Sequence, residues 1–148
     1  MLPTVSAIGL ITTFSYSGVL SIVSSTIDSL NYIYHYLSTN SNNMVIKKYL
    51  HDIEYLDIQL KLELVNNWLI MANTNQHVKT KSHHLIFDKI QDNTGKINKI
   101  ITSIENKINI YNNSWFSYFY SLYLANEIQE LEKQVKILDG RLIFIQLI

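Results

Sequence analysis

Apolar side chains recur near the N-terminus at alternating spacings of four and three residues, which places them on one face of an α-helix. The row consists of Tyr16, Leu20, Val23, Ile27, Leu30, Tyr34 and Leu37. It predicts one long, mostly buried helix over about residues 5–37. The polar run Ser38–Asn43 ends this helix because Ser, Thr and Asn side chains compete for backbone hydrogen bonds and favour turns.

A second helix is predicted over residues 44–72, where two apolar rows run side by side. We name them after two of their members. The Leu60 row is Ile46, Leu50, Ile53, Leu56, Leu60 and Leu64, and the Leu62 row is Tyr55, Ile58, Leu62, Val65 and Leu69. Two adjacent rows predict a wide apolar face that contacts two neighbouring helices.

A third helix is predicted over residues 83–111, because Ile90, Ile97, Ile104 and Tyr111 recur every seven residues. The segment contains the tetrapeptide Asp92–Gly95, whose residues favour a turn. The seven-residue spacing of the apolar row nevertheless continues across these residues. We therefore predict that the helix is continuous there.

A fourth helix is predicted over residues 117–147, with a start between Ser114 and Ser121. Its row has the same alternating spacing and comprises Leu124, Ile128, Leu131, Val135, Leu138, Leu142 and Ile145.

Four helical segments of similar length with short connections predict an all-α fold, an antiparallel up-down-up-down four-helix bundle that forms a single domain over residues 1–148. The alternatives are a helical hairpin completed by a second chain and a set of helices opened around a partner.

The segment Met1–Ile27 carries no charged side chain and is long enough to span a bilayer. Ten of its residues are Ser or Thr, and no Lys or Arg precedes its apolar part. Together with the one-sided apolar row, this content favours a soluble bundle helix over a membrane span.

Composition excludes several function classes. The chain is 47% hydrophobic with 12 basic and 12 acidic residues, which argues against a disordered tail. Arg141 is the only arginine, so a nucleic-acid surface is not expected. The abundance of Ile, Asn and Lys is typical of an AT-rich coding sequence, as found in some protists, bacteria and large DNA viruses.

Candidate catalytic and metal-binding residues are not found. The chain has no cysteine, and none of its five histidines pairs with another at the i, i+4 spacing that lets two imidazoles share a metal. His51 and Glu54 share a helix face, but an exposed polar face explains them equally well. We therefore expect no enzyme activity, no cofactor and no metal.

The most unusual feature is aromatic. Six rings fall within nine residues, inside an uncharged window from Ile108 to Asn126: Trp115, Phe116, Tyr118, Phe119, Tyr120 and Tyr123. The up-down-up-down order places them beside the tyrosines that end the first helix. These rings either cap the core or form a docking surface or a membrane-interface anchor, and the amphipathic side chains of Tyr and Trp are suited to each role.

The opposite end of the predicted bundle is also poor in charge. It brings together the start of the first helix, Trp68–Met71 and Leu142–Ile148. Exposed apolar ends favour end-on assembly, a continuing chain or insertion into lipid.

The order and character of the helices resemble a known family. An uncharged N-terminal helix (VSAIGLITTFSYSGVLSIVSSTI) precedes helices carrying KKYLHDIEYLDIQLKLELVNNWL and ANEIQELEKQVKILDGRLIFI. This arrangement resembles the HeLo-like and MLKL-like N-terminal four-helix bundles of cell-death and immune effectors. The resemblance implies a bundle that oligomerises and perturbs membranes. The dispersed lysines depart from the basic patch expected of that family, and no functional residue is carried across.

From these features we expect a non-enzymatic helical module for protein-protein interaction or self-association, of the kind found among viral structural and host-interaction proteins. The alternative functions are a membrane-active bundle and a bundle that carries an apolar ligand among its tyrosines. An intracellular location is favoured, with peripheral membrane association as the alternative.

Overall fold

The computed structural model describes residues 2–74, 81–118 and 121–147, and within them all side chains except those of residues 2–17, 73, 116 and 118. These residues are almost entirely helical and contain no strand, which confirms the all-α class. The helices are α1 (Leu2–Thr39), α2 (Met44–Tyr55), α3 (Ile58–Thr74), α4 (Lys81–Asn113), a short 3-10 helix (Trp115–Tyr118) and α5 (Ala125–Ile145).

The predicted second helix is divided in two by a break at Leu56 and Asp57. The backbone N–H groups of both residues bond to carbonyls three positions back, and Asp57 has a φ of 51°. This left-handed conformation is unfavourable for most side chains and is tolerated best by Gly, Asn and Asp. Asp57 therefore allows the chain to end α2 and start α3 in a new direction.

The break changes which apolar row faces the core. In α2 the Leu60 row is buried at Ile46 and Ile53, whereas in α3 the Leu62 row is buried and Leu60 and Leu64 are exposed. The prediction that both rows form one wide buried face is therefore wrong for α3. A continuous helix would keep each row on its own face, so the rows can exchange places only because the helix is interrupted.

The prediction that α4 runs through Asp92–Gly95 is confirmed. Asn93 and Thr94 are buried there instead of forming a turn. The Thr94 hydroxyl donates to the Ile90 carbonyl at 2.9 Å, and the Asn93 amide donates to the Gln134 carbonyl of α5 at 3.0 Å. These bonds occupy the Thr94 hydroxyl and the Asn93 Nδ2, which would otherwise favour a turn, whereas Asn93 Oδ1 is buried without a hydrogen-bond partner.

The last helix starts at Ala125, later than the predicted range Ser114 to Ser121. Leu122 and Leu124 are both buried, although residues two positions apart lie on opposite sides of a helix. A non-helical segment at 121–124 lets both leucines reach the core. This burial explains why the helix does not begin earlier.

The contacts between helices place α1 and α5 between the other helices. α1 contacts α2, α3 and α4, and α5 contacts the same three helices. In the part of the chain that the structure describes, no extensive contact joins α3 to α4, although they are consecutive in sequence. The expectation that short connections make consecutive helices neighbours therefore fails for this pair.

The helices share one hydrophobic core. Three polar contacts between helices help to set the positions of these helices along their axes. The Asn98 amide of α4 donates to Thr26 Oγ1 of α1 at 2.7 Å, the Tyr32 hydroxyl donates to Asn109, and the Lys61 ammonium of α3 pairs with Asp139 of α5 at 2.8 Å.

Candidate interaction surface

The connection between α4 and α5 carries the exposed part of the aromatic segment. Trp115 is 65% exposed and Tyr123 is 58% exposed. Ile110, in the last turns of α4, is 70% exposed and lines the same cavity as Tyr123. We call these three residues the aromatic surface. Large apolar side chains that are exposed side by side mark sites of interaction more often than isolated ones do.

The same connection packs against the core through two buried leucines. Leu122 and Leu124 are buried, and the Tyr49 hydroxyl of α2 donates to the Leu122 carbonyl at 3.5 Å. Because the leucines on either side of Tyr123 are buried, the Tyr123 ring points away from the core. The hydrogen bond from Tyr49 restrains the backbone at Leu122.

A cavity of about 360 Å³ opens between the end of α4 and the connection. It is lined by Lys107, Ile110, Tyr111, Ser114, Ser121, Leu122 and Tyr123. Its volume is at the lower end of the range for binding pockets, which suits a few side chains of a partner better than a large cofactor.

The charged groups at the rim of this cavity are paired. The Lys107 ammonium forms an ion pair with Glu127 Oε1, which joins α4 to α5. The other carboxylate oxygen, Oε2, is buried without a hydrogen-bond partner. The sequence around the rim is otherwise uncharged from Ile108 to Asn126, so the aromatic surface presents little net charge.

Of the six rings predicted as a surface, the structure describes two side chains, those of Trp115 and Tyr123. The side chains of Phe116 and Tyr118, and residues Phe119 and Tyr120, lie outside the described residues. Ile110 was not among the residues predicted for this surface. The sequence holds one indication of it: Ile110 lies outside the row of Ile104, Ile108 and Tyr111 that packs on the core, and the other outward-facing residues of this helix are mostly polar.

Tyrosines from α1 line the core close to this end of the molecule. The Tyr32 hydroxyl bonds to Asn109, two residues before Tyr111. Burial raises the pKa of Tyr36, and the neighbouring Tyr111 and Tyr32 raise it further. Together with the Tyr49 contact to Leu122, these effects place the tyrosines of α1 and α2 next to the end of α4 and its connection to α5.

Tyr34 lies on the opposite side of α1, toward α2. Burial, followed by the negative charges of Glu54 and Asp57, raises its pKa to about 12. The unfolded chain therefore loses this proton before the folded chain does. The stability that protonated Tyr34 contributes is complete below pH 10 and is lost as the pH rises toward 12.

We expect the Tyr34→Phe variant to lose less stability than the wild type between pH 10 and pH 12, measured by urea unfolding at a series of pH values. The Tyr55→Phe variant is the control, because this ring is 83% exposed. Parallel losses in the wild type and Tyr34→Phe would contradict the assignment.

No group of three His, Asp or Glu residues close enough to hold a metal ion occurs in the described ranges. Nor does any helix, over the residues that could be searched, contain a stretch apolar and long enough to cross a membrane.

Comparison with known proteins gives no relative. No family model matches the chain, and no curated protein or solved structure is similar to it at a significant level. The resemblance to HeLo-like and MLKL-like bundles therefore stays a prediction.

Proposed function

We propose that this chain is a non-enzymatic assembly module, which associates with a second copy of itself through the aromatic surface. The observation that carries the proposal is the exposure of Ile110 and Tyr123 around a cavity at the α4–α5 connection, with Trp115 exposed in the same connection. Aromatic residues are enriched at the centres of protein interfaces, where they account for much of the binding energy.

The fold proposed for this module is an up-down-up-down bundle, and cross-helix contacts support it. Moving along α1 from Thr26 to Tyr32, the partners in α4 advance from Asn98 to Asn109, as expected for helices that run in the same direction. The α4–α5 contacts have the opposite order, because Asn93 meets Gln134 whereas Lys107 meets Glu127.

The charge distribution favours a second copy as the partner. Two identical surfaces that carry net charge repel each other when they meet across a two-fold axis. The aromatic surface avoids this repulsion, because Lys107 is paired with Glu127 and the surrounding segment is uncharged. An apolar, neutral surface can meet its own copy without charge repulsion, and the volume of its cavity is sufficient for an apolar side chain of the other copy.

Sedimentation equilibrium over a range of concentrations tests this proposal. We expect the wild-type chain to dimerise, and we expect Tyr123→Ser and Trp115→Ser each to weaken dimerisation by about tenfold or more, as for residues central to an interface. The matched control is Tyr55→Ser, which removes an exposed ring from the end of α2, away from the aromatic surface.

A chain that remains monomeric at its highest soluble concentration would overturn self-association. Equal weakening by Tyr55→Ser and Tyr123→Ser would assign dimerisation to another surface. Flotation with neutral and anionic vesicles distinguishes the membrane-active alternative: we expect no binding, and binding that depends on Trp115 and Tyr123 would replace the assembly proposal.

A further inference from the structure

A second groove, far from the aromatic surface, lies between the start of α4 and the end of α5. Its cavity of about 440 Å³ is lined by Ser82, Leu85, Ile86, Lys89, Gly140, Arg141 and Phe144. Lys89 precedes Lys107 by 18 positions in α4, which corresponds to about 27 Å along the helix. The groove is therefore separate from the proposed assembly surface.

The walls of this groove are apolar on both helices. Leu85 and Phe144 are exposed large hydrophobic residues, and Ile86 forms a buried part of the wall. The volume falls within the range of small-molecule sites, which are mostly apolar and carry a few polar groups that orient the ligand.

The polar groups of the groove include two cations and no carboxylate. The Arg141 guanidinium donates one hydrogen bond to the Lys89 carbonyl, which leaves its other N–H groups available. Among the described residues, neither Arg141 nor Lys89 forms an ion pair, whereas Lys96 and Lys107 of the same helix pair with Asp92 and Glu127. Neither cation therefore has a carboxylate of the described residues within ion-pair distance.

We propose that this groove binds a single-chain amphiphile with an anionic head, of the fatty-acid class. The alkyl chain lies along Leu85, Ile86 and Phe144, and the carboxylate receives hydrogen bonds from the Lys89 ammonium and the Arg141 guanidinium. Charge-assisted hydrogen bonds of this kind are stronger than neutral ones, so the head group is expected to contribute much of the affinity.

Gly140 supplies an independent way to block the site. A Cβ atom at this position would have no neighbouring atom within 4 Å, so the backbone tolerates a side chain that extends into the groove. Gly95 in α4 is equally open and is not part of the groove lining, which makes it a matched position.

Calorimetric titration of the full chain with dodecanoate, below the concentration at which it forms micelles, tests the proposal. We expect saturable binding that is about tenfold weaker in Lys89→Met and in Arg141→Met, which is the effect of losing one charge-assisted hydrogen bond. Lys96→Met is the matched control, because Lys96 lies two turns further along the same helix face and outside the groove.

Two further comparisons test the head group and the groove. Dodecanol has the same alkyl chain without the charge. Its affinity is expected to be lower than that of dodecanoate by about tenfold or more. Gly140→Leu is expected to abolish binding of dodecanoate, whereas Gly95→Leu retains it. Circular dichroism tests whether each variant is folded. If Arg141→Met is unfolded, the affinity of Lys89→Met alone measures how much charge contributes to binding.

Equal affinity for dodecanol and dodecanoate, or unchanged binding by Lys89→Met, would overturn the proposal. So would binding to anionic vesicles without binding to free dodecanoate. Since none of these variants changes the aromatic surface, the sedimentation experiment is independent of this result.

Discussion

Leu62→Ala is expected to lower the free energy of unfolding by about 2–5 kcal/mol, the range for deleting a fully buried leucine side chain. Leu62 is 0% exposed and lies in the core, whereas Leu60, two positions earlier in α3, is 53% exposed. The corresponding Leu60→Ala variant is therefore expected to lose less than about 1 kcal/mol. Urea unfolding followed by circular dichroism measures both losses.

This pair of variants tests the break at Leu56 and Asp57 directly. A continuous helix would bury the Leu60 row throughout, and Leu60→Ala would then be as destabilising as Leu62→Ala. Equal losses would therefore contradict the exchange of rows described for α2 and α3. Measurement at low protein concentration keeps self-association from contributing to either value.

Asn93→Asp is expected to destabilise the fold by about 3–5 kcal/mol at neutral pH, the scale of an uncompensated buried charge. The Asn93 side chain is 0% exposed, and its Nδ2 donates to the carbonyl and Oε1 oxygens of Gln134 at 3.0 and 3.1 Å. Aspartate is nearly the same size, but it would place a negatively charged acceptor against two further acceptors.

The destabilisation should depend on pH. Burial favours the neutral carboxyl, so the folded-state pKa of the introduced Asp lies above its unfolded value. Stability is then lost as the pH rises through the folded-state pKa, and the difference from wild type is smallest in acid. Asn106→Asp, at an exposed position of α4, is the control and should show little loss at any pH. A pH-independent deficit in Asn93→Asp would indicate a packing effect instead.

The helices with a single apolar row could be predicted well from the sequence. The row around Ile97 and Ile104 kept its phase through Asp92–Gly95, and α4 is continuous there. The reason is physical: burial of regularly spaced isoleucines stabilises the helix by more than the local turn preference of Asp, Asn and Gly opposes it.

The α2–α3 break could not be predicted because the sequence between residues 44 and 72 has two apolar rows of similar quality. Periodicity identifies a row but does not indicate which of two rows meets the core. Only the tertiary contacts decide that Leu62 is buried and Leu60 is exposed. Asp57 is a weak signal by itself, since aspartate is also common on exposed helix faces.

The position of the aromatic surface in the chain could be predicted from the sequence, but not all of the residues that form it. The density of rings around Trp115 and Tyr123 indicated the segment, whereas the inclusion of Ile110 depends on how the end of α4 meets the connection. The start of α5 was predicted too early, because the alternation of Leu122, Tyr123 and Leu124 is a short non-helical pattern next to a long helical one.

The separation of α3 from α4 has a consequence for how the chain folds. A local helical hairpin closes quickly because its partners are near in sequence, and α4 with α5 can form one, as can α1 with α2 and α3. The α3–α4 pair cannot, so we expect the two hairpins to form separately and then to pack against each other. We expect this packing step to resemble the association of two subunits at high effective concentration, so that insertions or deletions between α3 and α4 change the folding rate more than the architecture.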